Sequence, residues 1–392
     1  MTESYKQHAE EVSSSPRYRV GFFDYQHDFA GKHNYRGPSY GYFTPEDSLV
    51  VPGWVVPDIV EGRQSLQLQV IQGGEVLQCE TVSFLPSEDV HKQYPDLEQA
   101  AEARYKINFP LHFLENDEYV LRFCLLEGRN IKARLWDLAY IRDEVLIKPI
   151  FVVGSPRAGT TAVGNALREA LGAKNYGEHH FLFLAKKMED TISEYFRKYH
   201  TRNDKGTFIN DISPALVKVK MSQQIKELYA SWQPGGYFVD KTPGRNMLKS
   251  IPNIQQIWPE AKYVFCKRRA YENVKSRLVK FPHLTVEQHA KQWVEVMQSW
   301  REIRRKLPEG SYIEVDQHDL RGEAAAGLVD KMSEVLQIDS EEVYGYIASK
   351  SPQKSNYSGG NENMNGLEET VSQICSDEMV KWAYSNDHNG YY

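Results

Sequence analysis

Between Ile150 and Thr161 the chain reads Ile-Phe-Val-Val-Gly-Ser-Pro-Arg-Ala-Gly-Thr-Thr, an order that suits a buried strand, a tight loop and a helix start. The apolar residues deliver the backbone to Gly154, and Gly159 follows five positions later. Thr160 and Thr161 then open a segment with Ala162, Val163, Ala166, Leu167, Ala170 and Leu171 at helical spacing. Loop N–H groups and the positive end of the helix dipole converge on one phosphate-sized volume, so the pattern predicts an anion cradle in an α/β domain with a parallel sheet. A glycine turn without a ligand is the plainer alternative.

The Gly-x4-Gly spacing is that of a Walker A loop, but Thr160 stands where a nucleoside triphosphatase carries the lysine that reaches the terminal phosphates. The strong cation inside the loop is Arg157, which suits a smaller anionic group. A second anion site is expected after Lys262-Tyr-Val-Phe-Cys266, another buried strand, which runs into Lys267, Arg268 and Arg269, with Ser276 eight residues beyond Arg268. A guanidinium at a strand end and a hydroxyl about two helical turns later can grip one phosphate from two sides; a solvated basic turn is the alternative. Two such sites on successive βα units point to a nucleotide with phosphates at separate ribose positions.

These elements resemble the sulfotransferases that use 3′-phosphoadenosine 5′-phosphosulfate. Gly154-Ser-Pro-Arg-Ala-Gly-Thr-Thr161 is similar to their 5′-phosphosulfate loop, which implies donor contacts by Ser155, Arg157, Ala158, Gly159, Thr160 and Thr161. Arg268 to Ser276 is similar to their 3′-phosphate motif, although many members have proline where Ala270 stands. Asp240-Lys-Thr-Pro243 resembles the Lys-Ser/Thr-Pro motif of the branch that contains tyrosylprotein and many bacterial carbohydrate sulfotransferases. The likeness covers about residues 148 to 320.

Sulfuryl transfer parallels phosphoryl transfer, with a loose in-line transition state, so catalysis is mostly positioning and electrostatic stabilisation. Arg157 and Lys241 are the candidate cations for the sulfuryl group and the departing 5′-phosphate. Lys241 follows the strand-like Tyr237, Phe238 and Val239, and ligands bind at the carboxyl ends of such strands. With these cations in place no metal is required. The acceptor hydroxyl needs a base, and Gly177-Glu-His-His-Phe181 supplies candidates. The resembled branch carries a glutamate in this context, which implies Glu178; His179 and His180 compete, because histidine is the base in the cytosolic branch.

The chain has 392 residues, enough for two domains, and a net charge of −6 disfavours a general polyanion binder such as a nucleic-acid protein. Its 4 cysteines are far apart, without metal-ligand spacing, and read as reduced thiols. No apolar run reaches membrane-spanning length, unlike the anchored Golgi sulfotransferases of animals, so a cytoplasmic enzyme is expected.

Residues 1–16 are rich in serine and charge and are expected to be disordered. From 17 to 147, strand-like runs at Gly53-Trp-Val-Val56, Leu66–Ile71, Glu75-Val-Leu77 and Tyr119–Cys124 predict a smaller antiparallel β-sandwich, and 148–392 would form the transferase domain. Gly53-Trp54, Glu88-Asp-Val90, Tyr94-Pro95 and Phe109 are similar to a β-sandwich module attached to bacterial glycan-modifying enzymes, which tilts the acceptor towards a carbohydrate hydroxyl. A tyrosine-dense loop, His33 to Phe43, either stacks on sugars or packs internally. Further on, Thr285-Val-Glu-Gln288 reads as a capping box opening a helix with Trp293, Val296, Trp300, Ile303 and Leu307 on its core face. Ser311–Val315 reads as a strand, 351–366 as a loop able to fold over the nucleotide with Lys350 and Lys354 nearby, and Leu367–Tyr384 as one helix.

The expected activity is therefore sulfuryl transfer to a small-molecule or glycan hydroxyl. Its rivals are a P-loop kinase or triphosphatase with a degenerate loop, in which Asp240 would hold magnesium, and a non-catalytic glycan-binding protein.

Overall fold

A computed structural model describes residues 17–25, 32–35, 41–56, 64–174, 176–200, 207–233, 236–349 and 366–384. The expectations for residues 1–16, for the 36–40 part of the tyrosine-dense loop, and for Lys350, Lys354 and 351–365 lie outside the described residues. The chain divides into two compact units, 1–145 with 187–226, and 146–186 with 227–392. The first unit thus takes in a helical segment that the sequence-level division at 147 left with the second.

The first unit contains β1 (Tyr18–Tyr25), β2 (Lys32–Tyr35), β3 (Tyr42–Phe43), β4 (Ser48–Val56), β5 (Gln64–Gln72), β6 (Glu75–Val82), β7 (Arg104–Pro110), β8 (Glu118–Glu127) and β9 (Asn130–Arg142). They form a six-stranded antiparallel sheet in the order β3-β1-β9-β8-β5-β6 and a three-stranded one, β2-β4-β7. Alternation drives the packing: Leu66, Leu68 and Val70 of β5 and Leu121, Phe123 and Leu125 of β8 share a core with Leu49, Val51 and Val55 of β4 and Tyr105, Ile107 and Phe109 of β7. Of the period-two runs read from the sequence, Leu66–Ile71 and Tyr119–Cys124 feed this core, whereas Val76 and Leu77 of β6 are exposed. The helix Pro214–Trp232 joins β9 through Ala215 and Val219, which pack on Ala139. Buried Asp143 accepts from Lys226 at 2.6 Å and lies 3.2 Å from Arg19, so two cations compensate a carboxylate that would be costly alone.

The second unit is built on β10 (Lys148–Gly154), β11 (Tyr237–Lys241), β12 (Lys262–Lys267) and β13 (Tyr312–Asp316), all parallel, in the order β11-β10-β12-β13. Buried on both faces, these strands are almost continuously apolar. Ile150 and Val152 pack with Val163, Ala166 and Leu167 of the helix Thr160–Ala170, while Phe151 faces Phe238, Trp258 and Tyr263. The chain leaves β10 towards β11 on one side and β12 towards β13 on the other, so the switch point lies between the carboxyl ends of β10 and β12. The two expected anion sites are therefore neighbours in the sheet but not successive in the chain, since β11 intervenes.

The capping box at Thr285 is formed on both sides, and Trp293 and Trp300 of the helix Val286–Arg304 are fully buried. The C-terminal segment forms two helices, Leu367–Ile374 and Asp377–Tyr384, instead of the single one expected. The break follows from Ser376, whose hydroxyl accepts from the Met379 N–H and starts a new helix. Among the described residues no helix is long and apolar enough to cross a membrane.

Candidate active site

Backbone geometry shapes the loop after β10. Gly154 has φ +134, and a Cβ there would lie 2.1 Å from the Cys266 carbonyl oxygen, so close contact with β12 requires glycine. Ala158 N–H donates to the Ser155 carbonyl at 3.1 Å, closing a turn with Pro156 second and Arg157 third. Arg157 has φ +71, in the position where such turns favour glycine. A bulky side chain held in that conformation costs about 1–3 kcal/mol and persists where surrounding structure enforces it, commonly at functional sites. Gly159, φ +90, precedes the helix and leaves room for Leu320, whose Cδ1 would sit 2.9 Å from a Cβ.

A cleft of about 350 Å³ opens at the switch point, and most of the residues singled out in the sequence meet there. Arg157, Gly159, Thr160, Thr161, Glu178, Lys241, Arg268 and Ser276 all line it. Ser155 and Ala158, also expected at the donor, do not line it, because both are fully buried beneath the loop; Ser155 donates to Asn273 Oδ1 at 3.1 Å, and Asn273 Nδ2 donates to the Pro156 carbonyl at 3.0 Å. Arg157 Nε donates to Ser276 Oγ at 3.2 Å, and Arg268 Nη1 donates to the Arg157 carbonyl at 3.4 Å, so the two motifs form one bonded array. Of the basic run after β12 only Arg268 lines the cleft; Lys267 is buried and donates to the Ala383 carbonyl. Trp293 Nε1 donates to the Arg268 carbonyl at 3.0 Å and fixes that strand end.

Lys241 is the last residue of β11, with its side chain 10% exposed and Nζ 3.2 Å from Glu178 Oε1. Glu178 Oε2 lies 3.3 Å from His180 Nε2. Left-handed φ values at Gly177 (+71) and His180 (+54) fold the intervening turn so that Glu178 is presented to the cleft. His179 turns away from it and stacks on Tyr229 and Phe238, where burial lowers its pKa. Asp240, 1% exposed, accepts from the Thr242 hydroxyl at 2.6 Å and does not share the cleft with its neighbour Lys241, as strand alternation dictates. Burial raises its pKa, against the opposing influence of His179 and Arg168. That placement disfavours the magnesium-holding role. Among the described residues no group of metal-ligating side chains is assembled.

Several contributors escaped the sequence reading. Lys280, Gln317 and Arg321 also line the cleft, giving five cationic side chains against one carboxylate in a protein of net charge −6. Arg168, 3% exposed, donates to the carbonyls of Val239 at 3.3 Å and Gly177 at 2.7 Å, tying the turn that carries Glu178 to the strand that carries Lys241. A helix-interior arginine looks like a surface residue in sequence, so no local signal marked it. Gly164 is the other case: a Cβ there would lie 2.9 Å from both Cβ and Cγ of Lys241. Gly164→Ala favours the helix by propensity, yet it should displace the stem of Lys241 and lower turnover roughly ten- to a hundredfold. Steady-state kinetics beside a melting curve checks this; an unchanged rate would show that Lys241 does not depend on the gap.

A second cavity, about 250 Å³, adjoins the cleft through Glu178, which lines both. Its walls are mainly aromatic, with Tyr176, His179, Phe181, Tyr229 and Trp232.

Residues 149–339 match the sulfotransferase family. No curated protein matches the sequence. Among solved structures, the sulfotransferase domain of the olefin synthase from Synechococcus PCC 7002 is 16% identical, covering 64% of this chain and 92% of its own, with a TM-score of 0.37. Sulfotransferase STF9 from Mycobacterium avium is 13% identical over 63% of this chain and 78% of its own, with a TM-score of 0.40. Mouse sulfotransferase SULT7A1, complexed with PAP, is 15% identical over 62% of this chain and 77% of its own, with a TM-score of 0.29.

Proposed function

We propose, from the match of residues 149–339 to the sulfotransferase family, that the chain transfers a sulfuryl group from 3′-phosphoadenosine 5′-phosphosulfate to a hydroxyl of a carbohydrate or glycan-containing acceptor. The observation that carries the reading is the convergence of Arg157, Lys241, Arg268 and Ser276 on one cleft, around a loop without the Walker lysine. In this reading the loop N–H groups, Thr160 and Thr161 hold the 5′ end of the donor, and Arg268 with Ser276 holds the 3′-phosphate. The acceptor oxygen attacks sulfur, Glu178 takes its proton, and the bond from sulfur to the 5′-phosphate oxygen breaks, releasing adenosine 3′,5′-bisphosphate. Lys241 and Arg157 neutralise the charge that builds on that departing oxygen, so the step requires no metal. The aromatic cavity beside Glu178 supports a sugar acceptor, because ring faces such as Tyr176 and Trp232 can cover the C–H face of a pyranose while its hydroxyl meets the carboxylate.

Calorimetric titration of the full chain with adenosine 3′,5′-bisphosphate, against ATP and magnesium, tests the donor. Binding of the bisphosphate is expected to exceed that of ATP and to weaken about tenfold in Ser276→Ala, the usual scale for a hydrogen bond to a charged group. Preferential binding of ATP with magnesium would overturn the reading.

A further inference from the structure

The first unit carries a cleft that the transferase reaction does not use. It measures about 640 Å³ and lies on the three-stranded sheet and the short helix Glu88–Gln93, lined by His33, Asn34, Trp54, Asp89, Tyr94 and Arg104 among others. Two aromatic side chains line it: the Trp54 and Tyr94 ring centroids lie 5.8 Å apart at 55°. Both rings pack against the small core of Val56, Val90, Ala100 and Ala103 and stay partly exposed. Side chains anchored in this way present a rigid apolar face to the cleft at little entropic cost.

Its rim is polar and self-compensated. Arg104 forks onto Asp89, with Nε donating to Oδ1 at 3.1 Å and Nη2 to Oδ2. The guanidinium holds the Asp89 carboxyl below the usual carboxylate range, so the group is acceptor-only. Exposed His33 stacks on Tyr35 with ring centroids 4.7 Å apart and offers its ring nitrogens to the rim. The Asn34 amide adds both a donor and an acceptor. The charged pair sums to zero, so the cleft has no net attraction for an anion.

We infer that this cleft, formed by Trp54, Tyr94, Asp89, Arg104, Asn34 and His33, is a binding site for a neutral pyranose sugar. A pyranose offers an apolar C–H face and a belt of hydroxyls that both donate and accept. The cleft offers partly exposed aromatic rings with donors and acceptors beside them, in a volume typical of small-ligand sites. An apolar peptide would desolvate the Asp89–Arg104 pair without adding a hydrogen bond to it, and a nucleic acid would meet no net positive charge. The inference stands independently of the donor chemistry, because all of these residues belong to the first unit. It also gives a purpose to Gly53-Trp54 and Tyr94, motifs that the transferase site leaves unused.

The test is retention of the labelled full-length protein on an array of neutral hexose and N-acetylhexosamine oligomers, with heparin oligomers beside them. A neutral oligosaccharide should be retained, with affinity reduced roughly tenfold or more in Trp54→Ala, as for a central aromatic anchor. Asp89→Asn, at a side chain 62% exposed, should weaken binding without threatening the fold, whereas Lys241→Ala should leave it unchanged. The inference is overturned if no neutral saccharide is retained, or if retention ignores both Trp54→Ala and Asp89→Asn. Retention of heparin oligomers alone would overturn it as well. None of these outcomes bears on bisphosphate binding, which the calorimetry reads separately.

Discussion

Replacing Lys241 by alanine is expected to lower kcat about 10²–10³-fold, the scale on which a preorganised group aimed at developing charge contributes. Lys241 projects from the last position of β11, with its stem packed against Gly164 and its ammonium 3.2 Å from Glu178 Oε1. No flexible surface lysine could replace it there, because the position is set by strand register: Val152 of β10 pairs with Lys241. The loss should fall on kcat far more than on bisphosphate affinity, since Arg268, Ser276 and the loop N–H groups remain. Single-turnover rates combined with calorimetry separate the two, and wild-type turnover would remove Lys241 from the mechanism.

Glu178→Gln should reduce kcat by roughly 10²–10⁴-fold, the range for loss of a positioned general base. The amide keeps the shape of the side chain but cannot take the acceptor proton. Donor affinity should hardly change. His180→Ala is the informative companion, since His180 Nε2 lies 3.3 Å from the carboxylate. If Glu178 is the base, His180→Ala costs much less than Glu178→Gln; the reverse order would transfer the role to His180. His179 is poorly placed to compete, buried as it is against Tyr229 and Phe238.

Legibility in the sequence followed the range of the interactions involved. The loop from Gly154 to Thr161, the strand ending at Lys267, the strand ending at Lys241 and the capping box at Thr285 are each written in a dozen residues or fewer, and each occurs where its pattern placed it. Gly164 and Arg168 left no such mark. A helical glycine and a helical arginine have no distinctive neighbours in the chain; their importance comes from Lys241 and Gly177, brought close by the sheet and the turn. The split after Ile374 was missed for a different reason: the apolar periodicity runs on through Met379 and Val380, while the serine that restarts the helix lies inside it.

The sequence by itself determined the local machinery: a glycine loop between a buried strand and a helix, a second arginine–serine motif, and a sheet-rich first segment. Hydrophobic period, glycine placement and capping chemistry act over a few residues, so they can be read in one dimension. Only the tertiary structure decided that Arg157 reaches Ser276 across 119 positions and that Lys241 holds Glu178 across 63. Those outcomes depend on strand order in the parallel sheet, and a parallel neighbour is chosen by the packing of whole crossover units, which no short stretch of sequence contains.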